Sequence, residues 1–335
     1  MKFSQKPFVC IVLLISMMTF NPLFAQNKIL LDTDFGGDAD DLGALVMLNH
    51  LHNDKICEMI GIMSYNIDQD VIAAIDGVNR YYGNNNVPLG IRNRSYYQNL
   101  KGYCTAVMST LKHVRTNADA PLCLEQYRKI LANSQDNDIV LVTLGPLDNI
   151  KDLIDSKADQ YSELTGIELM KRKIKSISIM GGAYPEIASE WNFWGNNAGV
   201  ARYVIEQLSD VIPMTIVGYE VGQAIKIGHE FNALPKDNPI YPGFLYFSEH
   251  ADWMKHYFKG EILDNPCYDQ ITLMHGIYGD THTGWEIVEG WRCEVTDSSA
   301  TKWIEDPYSP HKFMKLTADT LKFKKEILEL MVRGL

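Results

Sequence analysis

The sequence predicts an α/β fold: an open, mostly parallel, Rossmann-like sheet with helices on both faces and a small antiparallel element near the C-terminus. Three observations predict it. Short apolar runs rich in β-branched residues recur along the chain, helix-length segments separate them, and polar, acidic or glycine-rich residues follow almost every run. Near-continuous apolar strands alternating with helices are the mark of a parallel sheet buried on both faces.

Taken in order, "KILLD" (28–32) reads as a buried strand, followed by a helix from about Asp40 to Leu51. "CEMIGIMS" (57–64) is a second strand, with a helix over about Asp68–Tyr82. "VPLGI" (87–91) and "DIVLVTL" (138–144) are the third and fourth, and the fourth runs into a turn, "GPLDN", and a helix. "IKSISIM" (174–180) and "IPMTIV" (212–217) are the fifth and sixth. Helical insertions are expected near 95–135 and 235–260. In the tail, "GWEIVEGWRCEVT" and "SSATKWIED" read as an antiparallel pair, and "LKFKKEILELMVRGL" as a closing helix with a charged stripe. No repeat or Pro/Ser-rich linker divides the chain, so residues 26–335 are read as a single domain.

Residues 1–25 stand apart. Lys2 and Lys6 precede an apolar run from Phe8 to Phe20, and small Ala25 precedes Gln26. This is the pattern of a secretory signal peptide cleaved after Ala25, which implies a secreted or periplasmic protein. The competing reading is an N-terminal membrane anchor, disfavoured because the run is short for a span. Cys10 lacks a lipobox, and no later segment is long and apolar enough to cross a membrane. Removing residues 1–25 deletes two lysines and no acid, so the formal charge moves from −11 to −13. Such an acidic chain is a poor partner for nucleic acid or an anionic membrane. The five cysteines left cannot pair completely and match no zinc spacing. Cys57 reads as core, and Cys104 with Cys123 is a candidate disulfide.

In a parallel sheet, sites form beyond the carboxyl ends of the strands. The first strand is followed by "DTDFGGDADD", five aspartates in ten positions, Asp32, Asp34, Asp38, Asp40 and Asp41. Gly36 and Gly37 permit a tight turn, and Asp40 and Asp41 fall in a first helical turn, where carboxylates suit the helix dipole. An EF-hand loop is rejected, because its last ligand position would hold Gly43 and a strand precedes it. A haloacid-dehalogenase-type Asp-x-Asp is a weak alternative, since Phe35, Gly36 and Gly37 follow the pair. A solvated acidic loop with an ordinary cap is the bland alternative. A hard divalent cation with oxygen ligands, Ca²⁺ first among them, accounts best for this density of carboxylates.

These residues resemble the nucleoside hydrolase family of the inosine–uridine-preferring type. Its strand ending in Asp-x-Asp, glycine turn and paired Asp-Asp correspond here to Asp32, Asp34, Gly36, Asp40 and Asp41, in a loop two residues longer that carries the extra Asp38. "SYN" (64–66), "VTLGPLDNI" (142–150), "MGGAYPEIASEWNF" (180–193) and "YDQITLMHGIYG" (268–279) resemble further family segments in the same order, over most of residues 28–280. The resemblance implies Ca²⁺-dependent hydrolysis of an N-ribosidic bond through an oxocarbenium-like transition state, with a small ribosylated molecule as substrate. It implies Asp34 as metal ligand and general base, Asp41, the Leu144 carbonyl and Asp269 as further ligands, and Asp32 as support behind them. Asp40, Asn66, Glu190 and Asn192 would hold ribose hydroxyls, and Met180 would line the sugar or else be core. Glu220 and Tyr268 are further substrate-side candidates.

Two departures limit the substrate. Tyr268 stands where the usual members place a histidine that protonates the leaving base, and tyrosine is a weaker acid. His275, further along, reads as a packed helix histidine. The segment between Met180 and Glu190 is shorter than usual and places Tyr184, Trp191 and Trp194 there, either to stack on a base or to pack in a core or oligomer contact. Hydrolysis of another ribosylated compound, or silent sugar or nucleoside binding, are the alternative functions. The oligomeric state is left open.

Overall fold

The computed structural model describes residues 26–66, 68–92, 102–194 and 199–334. The expected signal peptide, residues 1–25, and part of the 95–135 insertion lie outside the described residues. Among the described residues thirteen strands are present: β1 (Asn27–Thr33), β2 (Cys57–Ser64), β3 (Leu89–Ile91), β4 (Ile139–Thr143), β5 (Ile174–Met180), β6 (Glu186–Ile187), β7 (Met214–Val217), β8 (Lys226–Ile227), β9 (Asn265–Pro266), β10 (Trp285–Val288), β11 (Trp291–Val295), β12 (Thr301–Glu305) and β13 (His311–Leu316). Eight of them form the central sheet in the order β10-β13-β7-β5-β4-β1-β2-β3. All its pairings are parallel except β10 with β13 at the edge.

The strand period of two is visible in how the core divides. Ile29 and Leu31 of β1 and Val140 and Val142 of β4 pack on one face, while Leu30, Ile139 and Leu141 pack on the other. Helices Asp40–Asn53, Ile240–His250, Tyr268–Tyr278 and Thr320–Met331 cover the first face. Helices Cys123–Asn133, Asp148–Asp155, Gly166–Lys173 and Val200–Leu208 cover the second. Helix Asp40–Asn53 is buried nearly all round and lies against helix Tyr268–Tyr278. Gly43 makes that approach possible: a Cβ there would sit 2.3 Å from Gln270 Nε2 and 2.8 Å from Met331 Cε.

Several expectations need correction. β3 starts only at Leu89, and the helix expected from Asp68 starts at Val71. The segment Cys123–Asn133 is a covering helix packed on β2 and β3, not an insertion. The tail divides differently. β11 and β12 pair antiparallel as expected, with β6 beside β12, but β10 leaves them for the central sheet. There it pairs with β13, which lies between β10 and β7 and which the sequence did not reveal because "HKFMKL" mixes charged and apolar residues without a continuous apolar run. Cys104 and Cys123 are free thiols, not a disulfide, since they belong to cores on opposite faces of the sheet. Among the described residues no helix is long and apolar enough to cross a membrane.

Candidate active site

Parallel strands deliver their carboxyl ends to one edge, so the loops after β1, β2, β4, β5 and β7 meet there. Two helix N-termini converge on the same place. Asp40 and Asp41 lie in the first turn of helix Asp40–Asn53, and Asp269 lies in the first turn of helix Tyr268–Tyr278. The partial positive ends of both helices therefore face the cluster and favour anions. Asp40, Asp41 and Asp269 are buried and each offers a carboxylate oxygen within 4.8 Å of the others. Oxygens that share one divalent ion at about 2.4 Å lie within about 5 Å of one another, and the donors are all hard oxygen, so the set fits a cation such as Ca²⁺ or Mg²⁺.

Asp34 lies beside this group. Its carboxylate covers Gly145, where a Cβ would meet Oδ1 at 2.7 Å. Burial is the chief cause that pushes Asp34 up to about 7, and Asp38, Asp32 and Glu190 add to it. Asp41, Asp40 and Asp269 are displaced well upward too, first by burial and then by one another and their neighbours. The same displacement in every member describes negative charge without a counter-ion, which a bound cation reverses. Thr33 Oγ donates to Asp41 Oδ1 and aims that carboxylate.

Asp32 is fully buried and stands behind Asp34. Tyr127 Oη donates to its Oδ2 at 2.6 Å and Asn149 Nδ2 at 3.0 Å. Burial raises its carboxyl to about 7, opposed by these two bonds and by Arg92. Arg92 donates to Asn149 Oδ1 at 3.1 Å, so a buried guanidinium orients the amide that holds Asp32.

The remaining residues singled out in the sequence are distributed as follows. Asn66 is buried after β2 and its Oδ1 accepts from Asp68 N at 2.9 Å. Its amide packs on Gly36, whose φ of +112° and lack of room for a Cβ, 2.9 Å from Asn66 Nδ2, both require glycine. Asn192 Nδ2 donates to the Leu144 carbonyl at 2.6 Å and lies 3.0 Å from Met180 Sδ. A carbonyl has two lone pairs, so Leu144 keeps one free. Glu190 is committed to the backbone: its carboxylate accepts from Gly182 N, Asn192 N and Phe193 N at 2.9, 2.9 and 3.2 Å. Burial still raises it to about 7 against those bonds. Glu220 is exposed and folds back over Gly218.

Tyr268 is half-buried, donates its hydroxyl to Gln223 Oε1 at 2.5 Å, and stacks on Tyr219 with ring centroids 5.3 Å apart. His275 is packed at the far side, bonded to Ser178 and Asp280. Of the three aromatics after Met180, Tyr184 stacks on Phe313 at 3.8 Å in the core, whereas Trp191 and Trp194 form an edge-on pair that is nearly half exposed. Thr33, Tyr127, Asn149, Tyr219, Gln223 and Asn265 were not anticipated as site residues. Thr33 and Asn149 lie inside the motifs, Thr33 at the end of β1 and Asn149 in the first turn of the helix that follows β4. Tyr219 follows β7 beside Glu220, so its place after a strand end was a signal, whereas Tyr127, Gln223 and Asn265 lie in no motif.

The model of the inosine-uridine preferring nucleoside hydrolase family matches residues 29–300. The chain belongs to that family. A plant nucleoside hydrolase structure superposes with a TM-score of 0.68 at 15% identity, covering 92% of this chain and 100% of that one. A type III effector protein solved with adenosine diphosphate ribose gives 0.67 at 14% identity, covering 91% and 93%. A further effector protein gives 0.65 at 13% identity, covering 91% and 93%. At these identities the likeness is one of fold. No curated protein matched by sequence.

Proposed function

We propose that this protein is a Ca²⁺-dependent N-ribohydrolase that releases ribose from a nucleoside or related N-riboside. The observation that carries the proposal is the gathering of Asp40, Asp41 and Asp269 at two converging helix N-termini, beside Asp34, in a chain of this family. Asp34, Asp41, the Leu144 carbonyl and Asp269 are the proposed ligands, and the cation, when bound, supplies Lewis-acid polarisation of water and the ribose diol. Asp34 takes the proton from the attacking water. Asp32, held by Tyr127 and Asn149, keeps Asp34 in place. Asp40, Asn66 and Asn192 bind ribose hydroxyls. Glu190 anchors the loop that carries Asn192, and its remaining lone pairs serve the sugar. Met180 lines the sugar face.

The leaving group meets the Tyr219–Tyr268 stack, an aromatic ledge suited to a planar ring. Tyr268 acts there through its ring, because its hydroxyl is given to Gln223 and burial pushes its pKa far up. Tyr268→Phe is therefore expected to keep kcat within about threefold of the parent, whereas Tyr268→Ala raises KM about tenfold, as loss of an aromatic contact does. Steady-state kinetics on the two variants checks this, and a large fall in kcat for Tyr268→Phe would restore the hydroxyl as acid.

The direct test is a panel of purine and pyrimidine nucleosides incubated with the protein lacking residues 1–25, with Ca²⁺ or with chelator, and assayed for reducing sugar. Chelator-sensitive release is the expected result. Calcium-dependent binding by calorimetry without release would make the protein a silent binder, the reading that Tyr268 in place of histidine favours. We keep export by a cleaved signal peptide as part of the proposal, and sizing the mature chain from the exporting cell by mass spectrometry tests it.

A further inference from the structure

Asp38 is the residue that the longer loop adds, and it does not project into solvent as an ordinary loop acid would. Its Oδ1 accepts from Asn265 Nδ2 at 2.5 Å and from Asp40 N at 3.3 Å. Four residues past Asn265, Asp269 N donates to Asp40 Oδ2 at 3.3 Å. The segment from β9 to the start of helix Tyr268–Tyr278 thus grips the loop twice, once through Asp38 and once through Asp40. Asn265 is 1% exposed, and its Oδ1 has no hydrogen-bond partner among the described residues. A buried amide left half-satisfied costs stability and is not explained by packing. The bond to Asp38 is what its other half provides.

From this geometry we infer that Asn265 and Asp38 form a clamp that positions Asp40 for the sugar. The inference rests on the ribose-binding role given to Asp40 above. The physical need is set by the loop. Gly36 and Gly37 make it pliable and the added residues lengthen it, so the Asp40 carboxylate would otherwise sample several positions at an entropic cost on binding. A binding carboxylate must be held to within about half an ångström by its surroundings. The clamp does this with a charge-assisted bond to a strand that belongs to the other wall of the site. Asn265 and Asp38 are positioning residues and need not touch the substrate.

The test uses the full mature protein with ribose, Ca²⁺ and inosine as probes. Asn265→Leu removes the donor while keeping the volume. Calorimetry is expected to show ribose affinity falling about tenfold or more, the worth of a bond to a charged group, and calcium affinity changing less than about threefold. The melting temperature is expected to change little, because the orphan oxygen leaves with the amide while Asp38, losing that donor, keeps the one from Asp40 N. A purely structural role for Asn265 would instead lower the melting temperature and both affinities together, and that result overturns the clamp. Asn265→Asp sets two carboxylates against each other and is expected to lose ribose binding. Adding Asp38→Asn restores a donor–acceptor pair with the roles exchanged and is expected to recover at least about a third of the lost affinity on a logarithmic scale. No recovery in the double variant also overturns the clamp. Inosine turnover by the parent is read separately. Its absence overturns the hydrolase reading alone, while the ribose and calcium affinities still decide the clamp.

Discussion

Asp34→Ala is expected to lower kcat by at least about a thousandfold, because the substitution removes both a proposed metal ligand and the group that accepts the proton from water. The fold is expected to survive. Asp34 sits on Gly145 at the rim of the acidic group, outside the apolar cores on either side of the sheet. Its carboxyl is pushed up to about 7 by burial and by Asp38, Asp32 and Glu190, so its ionised form opposes folding of the metal-free protein above that pH. Removing it relieves that cost. Far-UV circular dichroism should therefore match the parent, and the metal-free melting temperature should be equal or higher. Turnover that persists near the parent rate would remove Asp34 from the mechanism.

Chelation is expected to abolish ribose release and to destabilise the protein more at pH 8 than at pH 5. The sign follows from Asp32 and Glu190. Both carboxyls are raised to about 7 in the folded protein, from 3.8 and 4.5, chiefly by burial. Between those limits the folded chain binds more protons than the unfolded chain, so stability is greatest at the acid end and falls as pH rises to about 7. Each group contributes a few kcal/mol to that fall. A cation opposes it, because its positive charge favours the ionised forms, and its binding displaces protons. The rise in melting temperature on adding Ca²⁺ should thus grow from pH 5 to pH 8. A calcium-induced rise that is constant with pH, or absent, would count against a cation among these carboxylates.

The density of aspartate in "DTDFGGDADD" was readable as a site because such residues are costly at a strand end without a task. The alternation of apolar runs announced the sheet, and the ordered motifs at the strand ends announced the family. β13 was hidden by its mixed composition, and the identity of Asp38's partner was hidden by distance, since Asn265 lies 227 residues away along the chain. Tyr127 is 95 residues from Asp32 and carries no motif. Glu190 was legible as a site carboxylate, but its commitment to three backbone N–H groups depends on a turn geometry that spacing does not encode. Asp40, assigned from the sequence to ribose, offers a carboxylate oxygen within 4.8 Å of those of Asp41 and Asp269.

By itself the sequence determined the α/β class, the end of the sheet that carries the chemistry, and the residue types gathered there. These depend on local period and on where polar residues interrupt apolar runs, and both are properties of neighbours along the chain. Tertiary structure alone decided which carboxylates share a cation-sized space, which hydroxyls and amides orient them, and that Tyr268 spends its hydroxyl on Gln223. Those facts arise where two helix N-termini and several strand ends converge. Contacts between segments far apart along the chain are set by how whole layers pack, and no local pattern encodes that packing.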